Sequence, residues 1–425
     1  MLHLSDYKPS DRYMLRELHG THYLIPTGQD IAMHRNAVKL NETGVIIWHA
    51  LNERRTSAEL PAIIRQKLTA GGINLSSVSD DDLASDADSF IHSLIRENAL
   101  IPSDDSGNKS PASCGCSSGL TRFDSCYRIA SLTIGFFGCR ECLDSSLEDF
   151  RLEQPVRSDS LADAAGTHAN QADQIWRLRP LIAMPEFEGR MLIHTTQLEL
   201  FEAHGWYIMT FPANRHLLMC RVTTDGSVAE LFYDHRDMPE ARTELFYGLR
   251  NVFLVAAQQH GLFAIHSASV KYNNAALLFC GQSGTGKSTH TAFWNGLFGT
   301  PYLNGDLNLA GIENGVAYIY GIPWCGTSGI YTTERVPVGA ITLLRQASGN
   351  HVSVPAPDDA QLLVAQRMIS PTWTVPLADM NLDFAGSLQD CCRILKLSCT
   401  ASPEAARVMK AYIDTVGIGG IASDA

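Results

Sequence analysis

Nine consecutive residues carry the most specific chemistry in the chain: Gly281-Gln282-Ser283-Gly284-Thr285-Gly286-Lys287-Ser288-Thr289. Gly281 to Ser288 satisfies G-x-x-x-x-G-K-[ST] in full. The glycines let backbone amides turn inward around phosphates. A helix opening there adds the positive end of its dipole. Lys287 is placed to reach the β- and γ-phosphates, and the Ser288 hydroxyl to coordinate Mg²⁺. The context agrees, because the apolar run Ala275–Cys280 precedes the loop and a helical pattern from Lys287 to about Phe298 follows it, ended by Gly299 and Pro301. ATP and Mg²⁺ are the expected ligands, and since no residue reads the base, GTP stays open.

The next acidic residue after Lys287 is Asp306. Tyr302-Leu303 starts a short strand, so Asp306 is expected just after it, beside the phosphates. Two roles are open there, holding Mg²⁺ or taking the proton of an attacking hydroxyl. The plainer alternative is a turn aspartate within Asn304-Gly305-Asp306. An apparent hairpin, Ala264–Tyr272 and Ala275–Cys280 about Asn273-Asn274, feeds the loop. Asn314-Gly315 between Leu309–Ile312 and Val316–Tyr320 predicts a second hairpin, and residues 336–346 one more strand. Helices are expected around 358–370, 385–395 and 403–415, and the tail Gly417–Ala425 is expected to fray.

The elements before this core divide in two. Arg12–Leu18 and His22–Ile25 read as strands joined at Gly20, with Ala37–Leu40 a third. Asn41 is placed to cap a helix that turns Val45, Trp48 and Leu51 to one side. Thr56-Ser57-Ala58-Glu59 reads as a capping box opening a helix with Leu60, Ile63, Ile64 and Leu68. A last helix over Asp82–Asn98 carries the stripe Leu83, Ala87, Phe90, Ile91, Leu94 and Ile95. Residues 102–121 are small and polar and read as a flexible linker. Beyond it, Tyr127–Phe137, Arg190–Thr195, Tyr207–Phe211, His216–Arg221 and Val228–Tyr233 read as strands, residues 154–174 as a polar loop, and Pro239 to about Gln259 as a helix. The domains are therefore 1–101, the linker 102–121, and 122–425. The last comprises a front part 122–262, a P-loop core 263–350 and closing helices 351–425.

The chain has 425 residues, 45% of them apolar, and a formal net charge of −12. That charge excludes a general nucleic-acid binder, which needs a basic footprint. No apolar run approaches the ~18 residues of a membrane span, and the N-terminus has no basic segment followed by an apolar one. A cytoplasmic protein with no membrane partner is expected. Eleven cysteines are too few for a disulfide framework. Cys139-Arg140-Glu141-Cys142 is a lone C-x-x-C, and Cys114-Gly115-Cys116 has poor spacing for zinc, so the cysteines from 114 to 142 read as thiols.

His266-Ser267-Ala268-Ser269-Val270, the hairpin, the P-loop and Asp306 together resemble the HPr kinase/phosphorylase family and its phosphoenolpyruvate-carboxykinase-like relatives. Gly321-Ile322-Pro323-Trp324-Cys325-Gly326 and Arg335-Val336-Pro337 resemble the peptide-modifying serine kinases of that superfamily. The resemblance spans roughly 125–415 and is specific over 264–345. It implies an α/β P-loop kinase domain that transfers the γ-phosphoryl of ATP, with Mg²⁺, to a hydroxyl. It also implies that Lys287 and Ser288 bind phosphate and metal, that His266 lies at the site, and that Asp306 is the acidic catalytic residue. The family carries two adjacent aspartates where this chain has Gly305-Asp306. Either Asp306 fills both roles or another group, such as Glu334, fills one. For His266, a satisfied strand histidine is the alternative. Trp324 and Cys325 line a groove or pack, and Arg335 is a phosphate clamp or a surface residue.

Lys39-Leu40-Asn41-Glu42-Thr43-Gly44, followed by Val45-Ile46-Ile47-Trp48, resembles the pyrroloquinoline-quinone biosynthesis D (PqqD) family over about 7–100. That implies a small winged-helix-like α+β domain binding the leader of a ribosomally made precursor peptide. The leader would add as a strand at Ala37–Leu40, beside the helix Asp82–Asn98. The expected activity is an ATP-dependent Ser/Thr peptide kinase with the leader on residues 1–101. The alternatives are a kinase of a carrier protein or small hydroxylated metabolite, and a nucleotide-gated peptide-binding protein without phosphotransfer.

Overall fold

The computed structural model describes residues 7–28, 36–53, 59–73, 78–97, 99–102, 123–153, 172–181, 183–236 and 238–417. The linker 102–121 beyond Pro102, Thr56–Ala58 of the expected capping box, Cys114, Cys116 and most of 154–174 lie outside them. Contacts divide the chain into two units, Met1–Cys114 with Thr372–Ala378, and Gly115–Pro371 with Asp379–Ala425. The architecture is mixed α/β.

In the first unit, β1 (Tyr7–Pro9), β2 (Tyr13–Leu18), β3 (Thr21–Pro26) and β4 (Val38–Leu40) precede three helices, α1 (Glu42–Asn52), α2 (Leu60–Ala70) and α3 (Asp80–Arg96). β5 (Leu100–Pro102) then returns to pair with β1. β2, β3 and β4 form an antiparallel sheet in that order. Asn41 caps α1 as expected, its Oδ1 accepting from the Gly44 amide at 2.8 Å. α3 starts two residues earlier than its stripe suggested. Ser79 and Asp82 form the capping box there, each side chain accepting from the other's amide. Leu24, Ile47, Trp48, Leu60, Ile64, Ile91 and Leu94 close one core.

In the second unit, eight strands make the first sheet: β6 (Ser125–Ile129), β7 (Leu132–Phe137), β8 (Gln174–Pro180), β9 (Arg190–His194), β10 (Glu199–Ala203), β11 (Trp206–Thr210), β12 (Leu217–Thr223) and β13 (Val228–Tyr233). Their order is β6-β7-β8-β13-β12-β11-β10-β9. Tyr127–Phe137, expected as one strand, is a hairpin that turns at Ala130, whose φ is 56°. β8 and β10 were not expected, although His204-Gly205, with φ of 50° and 79°, forms the turn after β10. The helix α4 (Met238–Gln259) packs on β12 and β13, with Leu245, Leu249, Phe253 and Ala256 wholly buried.

The chain continues with β14 (Phe263–Tyr272), β15 (Ala275–Cys280), α5 (Lys287–Phe298), β16 (Leu307–Glu313), β17 (Val316–Tyr320), β18 (Arg335–Gln346), β19 (His351–Ser353), α6 (Pro357–Ala365), α7 (Val375–Cys391), β20 (Arg393–Cys399) and α8 (Pro403–Val416), all in the second unit except Val375–Ala378 at the start of α7. The sheet order is β15-β14-β16-β17-β18-β20-β19, and β15 also pairs with β18, closing a ring of strands. Both expected hairpins are present. Alternate residues of β15 face opposite layers, as strand geometry requires. Leu277 and Phe279 pack with Trp294 of α5 and Met409 of α8. Ala276, Leu278 and Cys280 pack with Leu388 of α7.

Three expectations are corrected here. Tyr302 makes only an isolated bridge to Val270, so no strand precedes Asp306, and the strand proper starts after it at Leu307. The helix expected over 385–395 ends at Cys391, because residues 393–399 pair in parallel with β18 as β20. The helix expected over 358–370 ends at Ala365, and Met368 instead bridges to Ile265. No helix among the described residues is long and apolar enough to cross a membrane.

Candidate functional site

β15 runs fully buried to Cys280 and opens into the glycine loop. Gly284 and Gly286 have φ of 77° and 105°, the left-handed region that glycine enters without strain. Gly286 is the N-cap of α5 and supplies no side-chain acceptor, so no cap covers the first amides of that helix. Thr285 bends the loop back on itself, with its amide at 3.2 Å and its hydroxyl at 2.5 Å from the Gln282 carbonyl. Lys287 Nζ donates to the Gly281 carbonyl at 3.1 Å and to Gln282 O at 3.4 Å. Ser283, Ser288 and Thr289 are exposed.

β14 and β16 pair beside β15 and bring His266 to Asp306. His266 Nδ1 lies 3.7 Å from Asp306 Oδ1, too long for a hydrogen bond. Burial pulls the imidazole below its ordinary value; Lys287 adds to the shift, Asp306 opposes it, and Arg367 and Arg250 lower it further. His266 therefore stands neutral beside the carboxylate at neutral pH. Burial also lowers Lys287, against the opposing charge of Asp306.

A buried polar network sets this geometry. Asn304 Oδ1 accepts from the amides of Asp306 and Leu307, both at 3.1 Å, which is the turn that Asn304-Gly305-Asp306 suggests. Ser269 Oγ donates to Asn308 Oδ1 at 2.7 Å, and Asn308 Nδ2 donates to the Ser267 carbonyl at 2.8 Å. The Ser267 amide donates to Asp306 O at 3.0 Å. The two serines of His266-Ser267-Ala268-Ser269-Val270 thus clamp β14 to the Asp306 turn.

The departure at position 305 has a steric counterpart. A Cβ on Gly305 would lie 2.1 Å from Ser328 Oγ and 2.5 Å from Ser328 Cβ. Ser328 fills the space that a second aspartate needs. Gly326 (φ 59°) lies against Asp306 itself, since a Cβ there would be 2.8 Å from Oδ2. Trp324 anchors this segment. Its indole N–H donates to the Phe246 carbonyl of α4 at 2.9 Å, and its ring packs with Phe246, Phe253 and Trp176. Of the two readings for Trp324, packing holds. Cys325 is buried too.

The other carboxylate and the clamp are engaged elsewhere. Glu334 pairs with Lys271 at 2.7 Å, and Arg335 with Glu313 at 2.5 Å while lying over the Tyr318 ring. Two cations that the sequence reading did not single out stand in their place. Arg367 follows α6, and its carbonyl accepts from the His266 amide at 2.7 Å. Arg250 projects from α4 over the Tyr247 ring at 5.2 Å, and its Nε is buried with no hydrogen-bond partner among the described residues. Burial lowers its guanidinium, opposed by Tyr247 and Asp306. The site therefore gathers Lys287, Arg250 and Arg367 around one carboxylate and one neutral imidazole, a surplus of positive charge suited to a polyanion.

Cys142 is buried with its sulfur 3.3 Å from the Tyr233 hydroxyl, and Cys139 is exposed. Among the described residues no group of three or more His, Cys, Asp or Glu side chains is placed to hold a metal. A phosphate-bound Mg²⁺ needs fewer, since waters and phosphate oxygens complete its octahedron. Ser288 and Asp306 are the oxygen donors that the sequence leads one to expect for it. No protein-family model matches the chain, and no curated protein is significantly similar to it.

Proposed function

We propose that the second unit is an ATP- and Mg²⁺-dependent kinase of the HPr-kinase type, acting on a Ser or Thr hydroxyl of a ribosomally made precursor peptide. The observation that carries this reading is His266 set 3.7 Å from Asp306 on the strands beside a glycine loop whose Lys287 is held on the Gly281 and Gln282 carbonyls, with the charges of Lys287, Arg250 and Arg367 acting there.

Bound Mg²⁺–ATP supplies the γ-phosphoryl group that is transferred. The chain's own residues do the rest. Lys287 exchanges the loop carbonyls for phosphate oxygens, and the uncapped amides of α5 join it. Arg250 and Arg367 face the charge that builds on the transferred group. Asp306 would accept the proton of the acceptor hydroxyl as ADP leaves and, with Ser288, would hold Mg²⁺; Ser328 occupies the space that a side chain at position 305 would need. His266 stays neutral and adds no competing cation.

The acceptor class comes from the first unit, which we take as a winged-helix-like, PqqD-type leader-binding domain. β4 is an edge of its sheet, with no strand paired on its far side among the described residues. That is the edge an added peptide strand would use. Tethering the leader raises the local concentration of the hydroxyl to be modified.

The test is mass spectrometry on the full chain with Mg²⁺–ATP and a Ser/Thr peptide, with and without its leader. Phosphate is expected on the leader-bearing peptide in preference to the leaderless one. Equal modification of both would favour a kinase of another acceptor. ATP binding with no modification of either would favour a nucleotide-gated binding protein.

A further inference from the structure

The site described so far lies on one flank of the glycine loop. β14 and β16 bring His266 and Asp306 to that side. On the other flank the neighbours of β15 are parallel to it: β18 pairs with β15 from Ala276 to Cys280, and β20 pairs with β18 from Ala340 to Gln346. Three parallel strands thus end at the same edge, in the glycine loop, in Gln346-Ala347 and in Cys399-Thr400-Ala401. A crevice beyond the carboxyl ends of parallel strands is where open α/β sheets take their ligands.

A cavity of about 450 Å³ sits in this crevice, lined among others by Gly286, Thr289, His290, Gln346, Thr400 and Ala401. That volume falls within the ~300–1,000 Å³ of small-molecule sites. Its walls are held in place. Gln346 Nε2 donates to the Gly284 carbonyl at 3.1 Å, tying one wall to the glycine loop. The Ala347 amide donates to the Cys399 carbonyl at 2.9 Å and joins the two strand ends. Asn350 Oδ1 accepts from the Thr400 amide at 2.9 Å and from its hydroxyl at 3.2 Å. His290 stacks on Phe279 and is only 2% exposed, and its Nδ1 has no partner among the described residues.

Among the described residues, no Lys, Arg, Asp or Glu lines this cavity. Its side chains offer no cation to a phosphate, and the charges of Lys287, Arg250 and Arg367 act instead at His266 and Asp306. The cavity suits a flat neutral heterocycle whose phosphates run across the loop toward Lys287. The absence of a carboxylate matters as well, because guanine presents adjacent N–H donors that an ionised acceptor pairs best.

The geometry points to this cavity as the nucleoside subsite, taking the adenosine of the triphosphate between the Gln346-Ala347 and Cys399–Ala401 loops. The assignment rests on the glycine loop binding a nucleoside triphosphate. It makes the site two-sided, with base recognition on the parallel flank and phosphoryl chemistry on the antiparallel one.

The experiment is calorimetric titration of the full chain with Mg²⁺–ATP, Mg²⁺–GTP and Mg²⁺–tripolyphosphate. It uses the wild type and two separate variants that fill the cavity, Ala401→Trp and Ala347→Trp. ATP affinity is expected to fall at least tenfold in each variant while tripolyphosphate affinity is unchanged, which also reports a folded loop. Wild-type affinity for GTP is expected to be at least tenfold weaker than for ATP. A variant that keeps both tripolyphosphate and wild-type ATP affinity overturns the subsite. A wild type that binds tripolyphosphate and ATP equally overturns it too, leaving the phosphate reading intact. A wild type that binds neither overturns both. Photolabelling of the unmodified chain with 8-azido-ATP is expected to mark Gln346–Asn350 or Cys399–Ala401, and label found elsewhere overturns the assignment whatever the variants do.

Discussion

Arg250 is a partly buried cation whose Nε is buried and has no hydrogen-bond partner among the described residues. A buried charge of this kind costs stability unless something compensates it. Arg250→Met is therefore expected to leave thermal stability unchanged or raised, while phosphotransfer falls by about 10²-fold, the loss typical of one preorganised donor. Melting temperature and turnover on the same preparations check this; a variant that loses both together would make Arg250 a structural residue. His290 gives a pH-dependent case. Burial lowers it from 6.5 to about 4. A depressed folded value means the unfolded chain binds the proton first. The stability His290 contributes is thus complete above pH 6.5 and is lost as pH falls toward 4, by about 3 kcal/mol in all. Denaturant titrations from pH 7 to 4.5 should show a steeper loss in the wild type than in His290→Phe. Parallel curves would mean that His290 does not titrate in that window.

At the scale of elements, the segment from Gly321 to Thr333 decides what surrounds Asp306. Trp324 sinks into the aromatic cluster under α4, and Tyr331 donates to Asp149 at 2.6 Å. Between these anchors Gly326 lies on the carboxylate and Ser328 occupies the space over Gly305. Gly305→Asp alone is then expected to overpack the turn and destabilise the protein by about 1–3 kcal/mol. Gly305→Asp with Ser328→Gly is expected to recover most of that loss. Chemical denaturation of the three chains tests it, and an undamaged single variant would show that the segment gives way freely. The surroundings of Asp306 were also the least legible in the sequence. The glycine loop, its two flanking hairpins, α5 and the Asp306 turn were legible because each is encoded over a few adjacent residues. Arg250, Arg367 and Ser328 were not, because α4, the residues after α6 and the segment after β17 reach the site only by long-range packing. β20 was hidden for a similar reason. Arg393–Cys399 has no turn before it to mark a strand, and its pairing partner β18 lies far away in the chain.

For the whole molecule, the proposal divides labour between two units, with phosphoryl chemistry in the second and peptide recognition in the first. The division predicts that the two activities separate by mutation. Lys287 lies in the glycine loop and Lys39 on the β4 edge. Replacing Lys287 should abolish transfer at unchanged leader affinity. Lys39→Glu should weaken leader binding and raise the KM for a leader-bearing peptide, with kcat little changed. A fall in kcat at unchanged KM would place Lys39 outside recognition. The measurement that tests the central claim most directly is transfer of label from γ-³²P-ATP to the hydroxyl of a leader-bearing Ser/Thr peptide. Wild type and Lys287→Ala are compared, with leader affinity measured on the same preparations. The account predicts label on the peptide with the wild type, none with Lys287→Ala, and equal leader affinity for both. Undiminished transfer by Lys287→Ala, or no transfer by a wild type that binds both ATP and leader, would contradict it.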